Sequence, residues 1–216
     1  AVTWMLPWSR GAFTNRDSLG DRSLITPGAF HWTQAGAGIL HEEIPEVPGT
    51  PCEGLQVFVK LPEPDELSPP RAFHVAPHEV PIHRLPNAEA RVLVGHYADT
   101  RSTIQTSTDT TLLHLSVRGP TMLDLPEGLQ AFGLVLRGAG IINATPATLH
   151  DAFPLSPGPL HLEGDSLEVV VGWSAPLPRA PIFQGPFCMF SRERLAEVAR
   201  AYRSGAMGHL SPSPVR

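Results

Sequence analysis

The chain is poor in basic residues. Of its 216 residues, 16 are Lys or Arg against 21 Asp or Glu, and Lys60 is the only lysine. No run of Lys and Arg occurs, and a net charge of -5 leaves no electrostatic footprint for a phosphate backbone, which argues against direct binding of DNA or RNA. Long apolar runs are missing too. None reaches the roughly 20 residues a membrane helix needs, and no leader pattern opens the chain, so no membrane partner is expected. Cysteine is scarce. Cys52 and Cys188 are isolated, and in a chain with an adequate core two such thiols are expected to stay reduced. The expectation is a soluble, cytoplasmic protein, in which the triplet Asn143-Ala144-Thr145 would carry no glycan. Charged residues are only 17% and apolar residues 42% of the chain, enough for a core and unlike a disordered segment.

What the chain has in quantity is punctuation. Its 24 prolines and 19 glycines are spread along the length, as in many short strands joined by turns. Strands are expected over Gly54–Leu61, Thr111–Val117, Gln130–Gly138 and Leu160–Val171, the last broken by a turn at Gly164-Asp165. Residues 62–86 are so rich in proline that they read as an irregular connection. One helix is expected, over Ser191–Arg203. Ser191 is placed to cap it, Leu195, Val198, Ala199 and Tyr202 recur at helical spacing, and Gly205 and Gly208 end it. The fold class is therefore all-β, two tandem β-barrels with a C-terminal α-helix. The expected domains are 1–88, 89–190 and the helix with its tail, 191–216. The chain opens on Ala1 and runs straight into Val2-Thr3-Trp4-Met5-Leu6, a sequence with strand character, so it is expected to begin inside a domain.

The stretch Gly36 to Pro45, Gly-Ala-Gly-Ile-Leu-His-Glu-Glu-Ile-Pro, carries the chemistry. A turn feeds a strand in which His41 and Glu43 share one face while Glu42 points away. An imidazole and a carboxylate converging on one face form half of a mixed nitrogen and oxygen metal site. On spacing alone an ordinary solvated strand pair remains open. Gly36-Ala37-Gly38 lacks the third glycine and following helix of a dinucleotide loop and reads as a hairpin turn. His31 is a candidate substitute ligand. His74, His78 and His83 would cluster only on a helix, which the prolines oppose, so they read as surface residues. His114 and His150 are isolated, and the second barrel reads as metal-free. Trp4, Trp8, Trp32 and Trp173 read as core or cavity lining.

Gly20, then Pro27-Gly28, a strand and a histidine form a cupin-like pattern. Arg16-Asp17-Ser18-Leu19-Gly20, Pro27-Gly28, Trp32 through Pro45 and Gly54 through Pro62 resemble the pirin family, a two-cupin branch. Pro181 through Met189 and the helix after them are similar to its C-terminal end. The resemblance implies one metal, usually iron, in the N-terminal barrel, held by three histidines and a glutamate. His41 and Glu43 correspond to the last two ligands. The first two belong to a His-Pro-His-Arg-Gly stretch that precedes the strand resembled by Ala1-Val2-Thr3-Trp4, and they are expected upstream of Ala1. The cofactor implied is Fe(II) or another divalent transition metal. Glu43 would also act as a base towards a bound hydroxyl, and Trp32, Phe30 and Phe58 would line a substrate cavity. The activity implied is dioxygen-dependent cleavage of quercetin-type flavonols. The alternative is a redox- or metal-sensing regulator that binds a protein partner such as a transcription factor or metabolic enzyme.

Overall fold

The computed structural model describes residues 1–104 and 106–211. The chain forms two compact units. One contains Ala1–His78 and the C-terminal stretch from Leu177; the other is Glu79–Pro176.

The first unit begins with β1 (Val2–Met5), β2 (Phe13–Asp17), β3 (Leu24–Ile25), β4 (Phe30–Gln34), β5 (His41–Pro45), β6 (Gly54–Val57) and β7 (Arg71–Val75). They make two antiparallel sheets, ordered β6-β1-β4-β7 and β3-β2-β5. The turn between β4 and β5 depends on glycine. Gly36 has φ +51 and a Cβ there would lie 2.0 Å from the Ser68 carbonyl oxygen, so the backbone can pass only without a side chain.

The expected irregular stretch at 62–86 contains β7 and, in the second unit, β8 (Ile82–Leu85), which corrects that reading. Pro70, Pro77, Pro81 and Pro86 flank these strands and lie in neither, so they cost no ladder hydrogen bond. β6 stops at Val57, short of the expected Leu61, and Phe58 beyond it is 78% exposed.

The second unit continues with β9 (Ala88–Val94), β10 (His96–Tyr97), β11 (Thr100–Arg101), β12 (Thr110–Val117), β13 (Thr121–Leu125), β14 (Gln130–Arg137), β15 (Ala139–Ile142), β16 (Thr145–Thr148), β17 (Ala152–Leu155), β18 (Gly158–Glu163) and β19 (Leu167–Ser174). A six-stranded sheet, β17-β14-β19-β12-β9-β8, faces a four-stranded one, β13-β18-β15-β16. Alternation builds the core. Ala90 and Val92, Leu113, Leu115 and Val117, Leu123 and Leu125, Leu160 and Leu162, and Leu167, Val169 and Val171 all point between the sheets. The sequence reading ends the first domain at residue 88, whereas the chain changes unit after His78. The reason is that β8 pairs with β9 in a hairpin and so joins the second unit's sheet.

The chain then returns to the first unit through β20 (Ile182–Gln184), β21 (Phe187–Met189) and α1 (Arg192–Arg203). Ser191 caps α1, its hydroxyl accepting from the Arg194 N–H at 3.1 Å. Leu195 and Val198 pack with Met189 and Met207 against Leu40, Leu67 and Ile182, while Tyr202 is half exposed and meets Phe187 edge-on. Among the described residues, no helix is long and apolar enough to cross a membrane.

Candidate metal centre

β5 pairs antiparallel with β2 in the register Asp17 to His41, Arg16 to Glu42 and Asn15 to Glu43. Alternation therefore sorts the two strands into an inner set, Asn15, Asp17, His41 and Glu43, and an outer set, Arg16 and Glu42. The outer pair is joined by ion pairing, with Arg16 Nε donating to Glu42 Oε1 at 2.7 Å and Nη1 to the Ser211 carbonyl at 3.2 Å.

The inner residues hold one another. Thr3 Oγ1, on β1, donates to Glu43 Oε1 at 2.7 Å, which fixes the carboxylate. Asn15 Nδ2 donates to Asp21 Oδ2 at 2.7 Å, and Asn15 Oδ1 lies 3.4 Å from His41 Nδ1. Because the amide group gives its N–H to Asp21, its oxygen can only accept. The proton of His41 therefore belongs on Nδ1, and Nε2 keeps a bare lone pair, the tautomer a metal-ligating imidazole needs. Burial pushes the Asp21 carboxyl up, but hydrogen bonds from Asn15 and Ser23 outweigh it and leave the group below its ordinary range.

The facing sheet contributes His31. In β1 and β4, Thr3 stands opposite His31, whereas Val2 pairs with Trp32 and Trp4 with Phe30. His31 shares the Thr3 face, and across β7 its ring lies 5.9 Å from that of His74. It is 1% exposed, and neither ring nitrogen has a hydrogen-bond partner among the described residues. Burial lowers its pKa to about 4 despite the pull of Asp21, so the ring is neutral near pH 7. One step along the same face, Met5 and Ala29 pack with Ile25 and Phe13, giving an apolar floor beneath a polar end.

The structure thus brings His41 and Glu43 onto one face and adds Thr3, Asn15, Asp21 and His31 around them. It does not bring Phe30, Trp32 or Phe58 there. Phe30 and Trp32 are buried on the opposite face of their sheet, and Phe58 lies in the open beyond β6. Nor do His74, His78 and His83 gather. His74 lies on β7, His78 in a short turn of 3-10 helix and His83 on β8, where it meets Thr100. Thr3 and Asn15 escaped the sequence reading because their roles depend on cross-strand register. Their positions in strands of alternating residues are the only trace they leave.

His41 and Glu43 fit a divalent metal in donor type, but among the described residues no three His, Cys, Asp or Glu side chains are arranged to hold one. The donor set here is partial. The second unit holds a different buried polar group. His114, expected to be isolated, lies with Nε2 3.0 Å from Glu168 Oε2, which also accepts from Ser116 Oγ at 2.7 Å, while Arg91 Nη1 donates to Ser116 at 3.1 Å. Burial lowers the His114 pKa. Glu168 is raised by burial but lowered further by the hydrogen bonds from His114 and Ser116. Every one of these side chains points away from the second unit's core, and the cluster reads as structural.

Two all-β units of paired antiparallel sheets, the first with an inward histidine and glutamate, define a bicupin. The chain superposes on a crystal structure of quercetin 2,3-dioxygenase from Acinetobacter baumannii with a TM-score of 0.87 and 26% identity, covering 96% of this chain and 75% of that one. The family model described as Pirin matches residues 1–59. A pirin-like protein of Solanum lycopersicum is 27% identical over 96% of this chain and 73% of its own length. A putative quercetin 2,3-dioxygenase of Pseudomonas aeruginosa is 29% identical over 95% of this chain and 76% of its own length.

Proposed function

We propose that this bicupin serves a metal-dependent dioxygenase acting on quercetin-type flavonols, with His41 and Glu43 as two of the metal's ligands. The observation that carries the reading is the way the inner residues are held. Asn15 sets the tautomer that leaves His41 Nε2 bare, and Thr3 anchors one oxygen of Glu43. Such outer contacts orient ligands and tune their basicity. Likeness to quercetin dioxygenases over nearly the whole chain supports the same reading.

The metal in this reading is iron(II) or another divalent transition ion, with His41 and Glu43 as two of its ligands. When bound, such an ion supplies the redox chemistry between a flavonol and dioxygen. The protein's own part is positional. His41 and Glu43 hold their side of the coordination sphere from rigid strands. Glu43, held through Oε1, is placed to take the proton of the flavonol's hydroxyl as a general base. Beneath them Met5, Ile25 and Ala29 pack with Phe13 into a closed apolar layer.

The test is metal analysis followed by oxygen uptake with quercetin. Stoichiometric metal and quercetin-dependent uptake are expected, and the substitution His41→Ala should remove both. Bound iron without uptake across several polyphenols would overturn the enzyme reading in favour of a regulatory one. Full metal retention in the alanine variant would show that His41 is not a ligand.

A further inference from the structure

The turn between β2 and β3 carries chemistry that the proposed site leaves unused. Its residues converge on His41 from two directions. On the backbone side, Ser18 brackets Leu40, the residue before the histidine. The Ser18 N–H donates to the Leu40 carbonyl at 2.8 Å, and Ser18 Oγ accepts from the Leu40 N–H at 3.1 Å. On the ring side stand Asp21 and Asn15. Asp17 Oδ1 accepts from the N–H groups of Leu19 and Asp21 at 2.8 and 2.9 Å. Gly20 passes through φ +97, a conformation that costs little only for glycine. The turn so closed aims Asp21 back at β2. Its Oδ2 accepts from Asn15 Nδ2 at 2.7 Å and from the Ser23 N–H at 3.1 Å, and its Oδ1 accepts from Ser23 Oγ at 2.8 Å.

Asn15 is fully buried, and a side-chain amide can present either its oxygen or its NH2 to a neighbour. Towards His41 Nδ1, 3.4 Å away, the oxygen selects a protonated nitrogen and the NH2 would select a bare one. That contact is long and does not choose between the two by itself. Asp21 chooses. Held below its ordinary range, its carboxyl is ionised near pH 7, and a carboxylate only accepts. It therefore keeps the NH2 on its own side and leaves the oxygen to the imidazole. We infer that Asp21 is a positioning residue for the candidate metal ligand: acting through Asn15, it keeps His41 Nε2 free of a proton. This rests on the dioxygenase reading and gives the β2–β3 turn the part of aiming that reading's histidine. Without Asp21, the Asn15 amide gains by turning its NH2 to His41 Nδ1. The imidazole proton then moves to Nε2, the atom a metal needs bare.

Two measurements on Asp21→Ala test this. One is nitrogen NMR of the His41 ring in the metal-free protein at about pH 8, where an ordinary imidazole is neutral. The other is an anaerobic competition titration with iron(II). In the wild type the His41 proton should sit on Nδ1. In Asp21→Ala the Nε2-protonated form should become the major one, and iron(II) affinity should fall about tenfold. Asp21→Asn should keep the proton on Nδ1 and bind iron(II) within about threefold of wild type, because the Ser23 N–H holds the new amide's oxygen towards Asn15. Should the alanine variant not fold, Asp21→Ser carries the same expectation, since its hydroxyl is too short to reach Asn15. An unchanged Nδ1 proton in the variant, whether or not iron(II) affinity falls, would overturn the inference and leave the dioxygenase reading intact. A wild-type proton on Nε2 would overturn the inference as well. Failure of the dioxygenase reading would show differently, as a wild-type protein that takes up neither iron(II) nor another divalent transition ion while the proton shift still occurs.

Discussion

At the residue scale, two side-chain contacts separate an ordinary strand pair from an organised site. Glu43 is fixed by Thr3, and His41 by Asn15. Replacing Thr3 with Val keeps the shape and removes the hydroxyl, which leaves Glu43 free to turn. Metal affinity in a competition titration is expected to fall by about tenfold or more, with thermal stability changed by less than about 1 kcal/mol. His31 gives a second prediction, made for the metal-free protein. Its pKa is near 4 in the fold against 6.5 when unperturbed. Above 6.5 both states are neutral there. Between 6.5 and 4 the unfolded chain takes up a proton that the folded one refuses, so stability is fully present above 6.5 and is lost as the pH falls towards 4. The loss is on the order of 3 kcal/mol. Urea titrations at pH 7 and pH 4.5 should therefore show a smaller drop in His31→Gln than in the wild type; equal drops would remove His31 as the cause.

At the scale of elements, the helix and the long strands were legible because their signals are local. Ser191 followed by apolar residues at helical spacing predicts α1, and the structure places a cap and a buried stripe there. Ser191→Ala is expected to destabilise the protein by about 1 kcal/mol, read as a shift in the urea midpoint at constant slope. The strands of the 62–86 region were not legible. Proline density dominated the reading, yet β7 and β8 fit between the prolines. The aromatic lining failed for a related reason. Phe30, Trp32 and His31 are adjacent in sequence, and a strand sends neighbours to opposite faces. Which face turns inward was settled only by the pairing of Thr3 with His31.

At the scale of the molecule, the chain returns after the second unit to complete the first. Glu66 anchors that return. It is 2% exposed, its Oε1 accepts from the Phe190 N–H at 2.7 Å and from Lys60 Nζ at 2.8 Å, and the same lysine sits 4.3 Å over the Phe190 ring. Glu66→Ala would leave the Phe190 N–H without its acceptor and the nearly buried Lys60 ammonium without its counter-charge, with only the Leu61 carbonyl still accepting from it. It is expected to cost about 3 kcal/mol, and to raise proteolytic cleavage around residues 177–190 before the second unit is attacked.

The sequence by itself determined the class: strands from alternation, turns from glycine and proline, one capped helix, and a histidine and glutamate two apart whose surroundings carry the family pattern. These are short-range properties of the chain. Only the tertiary structure decided that Thr3 and Asn15 hold the two candidate ligands, that His31 faces them, that the tryptophan beside it does not, and that His114 has a carboxylate partner. Each of these rests on cross-strand register, which joins residues 26 to 54 positions apart and is set by which side chains the sheets can bury together.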